Sequence, residues 1–196
     1  MRKLVLFLGL ILVLILGVMA YNAATNPEGT SLLSLTPTPA PWQPAQLRVS
    51  ALNIDAPVIN VGSTASGAMD APTSKAVHSP YWTSVFWYDE GAAPGQAGNA
   101  VIAGHVDRVG GDPAIFWSLS SLKPGDMVTV VTHQGQSIRF EVNRVVSYAA
   151  NAPSQDVIDA VFGPSNAHHL NLITCSGVWT GNGYDQRLVV FTTQVG

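Results

Sequence analysis

Frequent glycine and proline break everything after residue 46 into short apolar runs, and this punctuation constrains the fold more than any other feature. Each Gly or Pro ends a regular element or turns the chain. "LRVSALNIDAPVINVG" reads as two runs broken at Pro57, a strand pair or one bent strand. "GNAVIAGH" predicts a short buried strand introduced by Gly98. "IFWSLSSL" predicts one or two helical turns, and "KPGD" a turn. "MVTVVTH" and "SIRFEVNRVVSY" flank Gln134-Gly135-Gln136 and read as a hairpin. In the second arm Ile138, Phe140 and Val142 alternate with Arg139, Glu141 and Asn143, the period of a half-buried strand. "PSQDVIDAVFG" predicts a short helix with Ser154 as N-cap, and "HLNLITC" and "RLVVFTTQV" supply the last two strands. Many short strands with little helix predict an all-β fold, a closed or nearly closed antiparallel barrel.

The N-terminus has a different composition. Arg2 and Lys3 precede residues 4–21, which carry no charge. As a helix that run spans roughly 27 Å, close to the thickness of a bilayer core. No Lys or Arg follows until Arg48, so the positive-inside rule puts the N-terminus in the cytoplasm and the rest outside. Val18-Met19-Ala20 also fits a signal-peptide cleavage site, but the apolar run exceeds a usual signal core, which favours an uncleaved anchor. Residues 22–46 hold five prolines and one charge and read as an extended stem. Residues 47–196 then form one domain of ordinary size. Hydrophobic residues make up 47% and the net charge is −3, with nine scattered Lys and Arg, which argues against a nucleic-acid partner.

Cys175 is the only cysteine, so no intrachain disulfide exists. A lone thiol in an oxidising compartment is a liability unless it has a use; the bland alternative is a buried, inert small hydrophobe. If the last two strands pair antiparallel, Cys175 and Arg187 share one rim, and His105, ending "NAVIAGH", would complete a set there. A thiol is mostly protonated at neutral pH, an imidazole can exchange its proton, and a guanidinium can hold an oxyanion. The three together suit acyl transfer. His105 competes with His78, His133 beside a hairpin turn, and the loop pair His168-His169, while Arg187 could merely cap a strand edge. A metal site is weaker still, since no closely spaced ligand motif is present.

"NLITC" resembles the T-L-x-T-C signature of the sortases, the cysteine transpeptidases of bacterial envelopes, with Asn171 where the signature usually has Thr. "GNAVIAGHVD" is similar to that family's histidine segment, and "FWSLSSLKPGDMVTV" to the stretch that follows it. "TGNGYDQRLVVFTTQV" is similar to the closing strand and "LNIDAPVINVG" to the opening ones. "AGHVD" and "LITCSG" resemble classes E and F, and "DQRLVVFTTQ" class A. The resemblance implies an eight-stranded β-barrel with catalytic residues Cys175, His105 and Arg187. Cys175 would attack the Thr–Gly bond of an LPxTG-like sorting signal on a secreted protein. His105 would serve as acid and base, and Arg187 would hold substrate and oxyanion. An amine from a cell-wall precursor or a pilin would resolve the thioester at the membrane surface. "SYAANAPSQDVIDAVFGPSNAHH" falls where the family shapes its sorting-signal pocket. No cofactor is implied; some relatives bind calcium, but its carboxylate ligands have no match here. Three rival readings are a thiol peptidase that mainly hydrolyses, a non-catalytic envelope module that binds peptides, and an L,D-transpeptidase. The last lacks its histidine-glycine context around Cys175.

Overall fold

The alternating stretch around Phe140 becomes β6 (Ser137–Ala149). Phe140 and Val142 are buried, while Arg139, Glu141 and Asn143 are exposed, because successive side chains leave a strand on opposite faces. Each such burial is worth roughly 1.5–3 kcal/mol. Its hairpin partner is β5 (Met127–Thr132), and the chain reverses at Gly135, whose φ of 81° would strain any other residue. The structure is a computed structural model that describes residues 39–40, 42–151 and 153–196. The expected membrane helix and most of the expected stem lie outside these residues. Among the described residues no helix is long and apolar enough to cross a membrane.

The other strands are β1 (Pro44–Val49), β2 (Ile54–Val61), β3 (Val85–Tyr88), β4 (Gly98–Ala103), β7 (His168–Trp179) and β8 (Tyr184–Val195). They close into a barrel in the order β1-β2-β3-β4-β7-β8-β6-β5, and β5 returns to β1. The inside is filled by fully buried side chains, among them Leu47, Val85, Ile102, Phe116, Phe140, Leu170 and Leu172. One helix, α1 (Gln155–Phe162), packs outside the barrel, where Val161 meets Val101, Val189 and Phe191. Three 3-10 turns complete the described elements: Ser50–Leu52, Pro80–Trp82 and Leu119–Ser121.

Several expectations change in detail. The barrel is closed, but two of its eight pairings, β2–β3 and β4–β7, are parallel rather than antiparallel. The opening strands break at Ser50–Asn53, where Asn53 takes a left-handed φ of 54°, and not at Pro57. Pro57 lies inside β2 where its partner changes from β1 (Gln46↔Pro57) to β3 (Val58↔Val85), a position that suits a residue with no N–H. β1 starts three residues ahead of Leu47, taking in the end of the expected stem. His168 and His169 are not a loop pair; they open β7 opposite Gly98 and Asn99. Ser154 caps α1 by backbone conformation only, with no side-chain hydrogen bond.

Candidate active site

The parallel β4–β7 pairing sets the geometry of the site. Ala103 lies opposite Ile173, so both strands arrive at the same end of the barrel. Beyond that pair Gly104 N donates to Ile173 O at 3.0 Å, and Thr174 Oγ1 donates to Gly104 O at 2.8 Å. His105 follows on one strand and Cys175 on the other. Across the antiparallel β7–β8 pairing, Cys175 lies directly opposite Arg187. Register partners project to the same face, so sulfur and guanidinium share the outer side of the sheet. Strand register thus carries all three residues singled out in the sequence to one end of the barrel, with the His105 ring turned toward Pro72, Trp82 and Phe86. His133, His168 and His169 stand elsewhere: His133 leaves the β5 end, and His168 Nδ1 bonds Gly95 O at 2.8 Å; His78 lines a cleft with Trp82 and Trp117.

His105 is held firmly. Its ring packs edge-on against Trp82 and Phe86, with centroids 4.9 and 5.4 Å away. Its Nε2 lies 2.9 Å from Pro72 O. A carbonyl only accepts, so Nε2 carries the hydrogen and Nδ1 is the nitrogen left to gain or lose a proton. Its backbone carbonyl accepts a hydrogen bond from Phe116 N at 2.9 Å.

Arg187 is half-buried, and its Nη1 donates to Tyr184 O at 3.1 Å and Gln186 O at 2.9 Å. The ion pairs among the described residues, Arg48–Asp55 and Arg108–Asp112, leave Arg187 out, so its charge is free for a ligand. Burial pushes the Cys175 thiol up; the Arg187 cation pulls it back down, and the Asp107 carboxylate pushes it up again. Asp107 was not singled out in the sequence, nor was Tyr184. Tyr184 Oη donates to Asp107 Oδ2 at 2.5 Å, and this bond is the main reason its phenol is pushed up to about 12.

An apolar groove of about 330 Å³ runs along the outer face between α1 and the sheet. Ile158 and Phe162 of α1, Met69, Tyr148 and Ile173 line it, and Arg187 is its one charged lining residue among those described. Cys175 is not among its lining residues, but Arg187, its partner in the strand register, is. Among the described residues no three His, Cys, Asp or Glu side chains gather to hold a metal ion.

A family model of the sortase domain matches residues 47–195. The chain belongs to the sortase family. Sortases are cysteine transpeptidases, and this sortase has one cysteine to work with. Similar solved structures include sortase C-1 from Actinomyces oris, at 19% identity and TM-score 0.57, covering 78% of this chain and 73% of that one. Sortase C1 from Streptococcus agalactiae matches at 18% identity and TM-score 0.58, covering 78% and 67%. A Clostridium perfringens sortase D5 transpeptidase matches at 18% identity and TM-score 0.56, covering 79% of each chain. At such identities the likeness is one of fold. Against curated proteins this sortase has no match.

Proposed function

We propose that this sortase is a single-pass membrane enzyme, with residues 1–21 as its anchor, that cleaves an LPxTG-like sorting signal between Thr and Gly. Cys175 attacks the Thr carbonyl and forms a thioester. His105 first protonates the leaving amine and later takes a proton from the incoming one. Arg187 holds the oxyanion and the signal's backbone, while the apolar groove takes the residues before Thr. An amine of a cell-wall precursor or a pilin then releases the acyl group. Thiol, imidazole and guanidinium supply nucleophile, proton carrier and cation, so the reading calls on no cofactor.

What supports it is the strand register, which sets the chain's only cysteine opposite Arg187 and leads the segment that carries His105 to the same barrel end, within a family of cysteine transpeptidases. The uncharged run behind Arg2 and Lys3 supports the anchor.

The test incubates the full-length chain with an LPxTG-type peptide and an amine. Mass spectrometry is expected to find a thioester on Cys175 and a product joined at Thr. Cys175→Ala is expected to abolish both. His105→Ala should cost about 10²–10⁴-fold in rate, and Arg187→Ala about 10²–10³-fold. Ligation undiminished in Cys175→Ala would sink the reading. On intact cells, a membrane-impermeant maleimide that reaches Cys175 supports the orientation, and labelling only after lysis contradicts it.

A further inference from the structure

His105 and the apolar groove share one stretch of chain. After β2 the backbone turns back on itself between Gly62 and Asp70. Ser63 bridges Met69, Thr64 N donates to Ala68 O at 2.7 Å, and Asp70 N donates to Gly62 O at 2.9 Å. Glu90, just past β3, staples this small turn in place. Its carboxylate accepts from Ser63 N at 3.1 Å, Ser63 Oγ at 2.7 Å and Tyr88 Oη at 2.9 Å. Ala68 and Met69 of the turn line the groove. Half-buried Met69 also packs against the cluster of Val101, Val161, Val189 and Phe191.

Past Asp70 the hold on the chain changes. Ala71 N donates to Met69 O at 3.0 Å and Ala76 N to Ser74 Oγ at 3.1 Å, both within the segment. Among the described residues, the hydrogen bond that ties residues 71–75 to the rest of the protein runs from His105 Nε2 to Pro72 O, at 2.9 Å. The His105 ring also packs on Trp82 and Phe86, which are both buried. The ring therefore rests on two fixed aromatic walls and on one carbonyl carried by a lightly held segment. Met69 stands three residues before Pro72, and three residues of chain reach at most about 11 Å. A side chain in the groove that displaces Met69 bears directly on the acceptor of His105.

We propose that Met69 and Pro72 are positioning residues that make proton transfer by His105 depend on what occupies the groove. The inference rests on the reading of His105 as the acid and base of the proposed reaction. Pro72 O accepts from Nε2–H whether the ring is neutral or protonated, and the bond is stronger to the protonated ring because it is then charge-assisted. Nδ1 is left to give a proton to the leaving amine and to take one from the incoming amine. An occupant that fits beside Met69 leaves the carbonyl in place. An occupant that crowds Met69 draws the carbonyl away, and the ring is free to turn over. Such a peptide is held but reacts slowly, because its proton carrier is misplaced. The groove thus selects in the rate of turnover as well as in binding.

The experiment labels the histidines of the full-length chain with nitrogen-15, in detergent, and reads by NMR which ring nitrogen of neutral His105 carries hydrogen. His105→Gln identifies its signals, and His168, whose Nδ1 bonds Gly95 O, reports that the fold is intact. In the unaltered chain His105 is expected to be bare at Nδ1; a bare Nε2 overturns the Pro72 hold. Replacing Thr73 by its α-hydroxy acid turns the amide after Pro72 into an ester, whose carbonyl is a weaker acceptor. Thr73 N, lost in that change, donates to no described residue. The ester is expected to mix the two tautomers and to lower kcat about tenfold, the worth of roughly one hydrogen bond, with KM little changed. A tautomer and kcat unmoved by the ester overturn the hold. LPxTG-type peptides of increasing bulk before Thr test the coupling. In the Cys175→Ala chain, which keeps the peptide whole, the bulky ones are expected to shift the His105 signals, and adding Met69→Ala is expected to cancel that shift. With the thiol present, the same peptides should lose kcat and regain it in Met69→Ala. A residue that merely lined the groove would move KM and leave the His105 signals alone. A thioester that forms with His105 signals unmoved by any peptide overturns the positioning role alone. No thioester in the unaltered chain overturns the proposed reaction, and the positioning role falls with it.

Discussion

The Cys175 thiol is set by a contest between burial, one cation and one anion, and each can be changed separately. Burial is foremost and favours the neutral thiol, as does Asp107, while Arg187 favours the thiolate. Iodoacetamide alkylation of this single thiol should therefore still be accelerating at a pH where an ordinary thiol has levelled off. Asp107→Asn should move the profile to lower pH and Arg187→Gln to higher pH. Shifts in the same direction would refute the arrangement. Tyr184 gives a second titration. Its phenol donates to Asp107 only while protonated, so the bond is whole below the usual value of 10.0 and is lost as pH rises through about 12. Ultraviolet titration of Tyr184→Phe should lack this late tyrosine, and Asp107→Asn should bring it earlier. Neither partner was legible beforehand. They are 77 residues apart, and nothing local marks a tyrosine in a glycine-rich hairpin tip as the neighbour of an aspartate after a histidine. Cys175 stands out in the sequence because it is alone, whereas His105 and Arg187 were picked from five histidines and nine cations by where their strands end, and the ordered resemblance to a family favoured the same residues.

Elements carry the site through a few tight fittings. Gly104 joins β4 to His105, and a Cβ there would come within 2.5 Å of the Phe116 ring. Both neighbours are packed, so Gly104→Ala should cost about 1–3 kcal/mol. It should also lower turnover by shifting His105, which chemical denaturation and kinetics together would detect. Asn171, the departure from the family signature, is buried at 1% exposure. Its Nδ2 donates to Val161 O at 2.8 Å and Asn99 Oδ1 at 3.1 Å, and Asn99 donates to Gly163 O at 2.8 Å, so two amides fasten the end of α1 over the groove. Asn171→Thr is too short to keep both bonds and should cost about 1–3 kcal/mol. The loss should fall toward the low end because Asn171 Oδ1 is itself unpartnered. KM for the peptide should rise more than kcat falls; an unchanged KM would free α1 from that role. Legibility among the elements followed periodicity. β6 announced itself by strict alternation, and α1 by the serine at its N-cap position. β3 went unread because Val85–Tyr88 is four apolar residues long, too short to show a period.

At the scale of the molecule, closure by β1 against β5 leaves no free sheet edge in the barrel. A chain shortened to begin at Ser50 would unpair β2 and β5 together, and its urea transition should lose cooperativity; a transition as sharp as the full chain's would show β1 to be dispensable. That the fold is a barrel could be read from many short strands. Strand order could not, because the parallel pairings join segments far apart in the chain, and local patterning says nothing of which strand lies beside which. Those pairings have a temporal side. The imidazole is laid down first and the sulfur seventy residues later, with the guanidinium following on the last strand. A ribosome must all but finish before any two of them can meet. A copy that stops short of residue 175 holds the imidazole alone of the three.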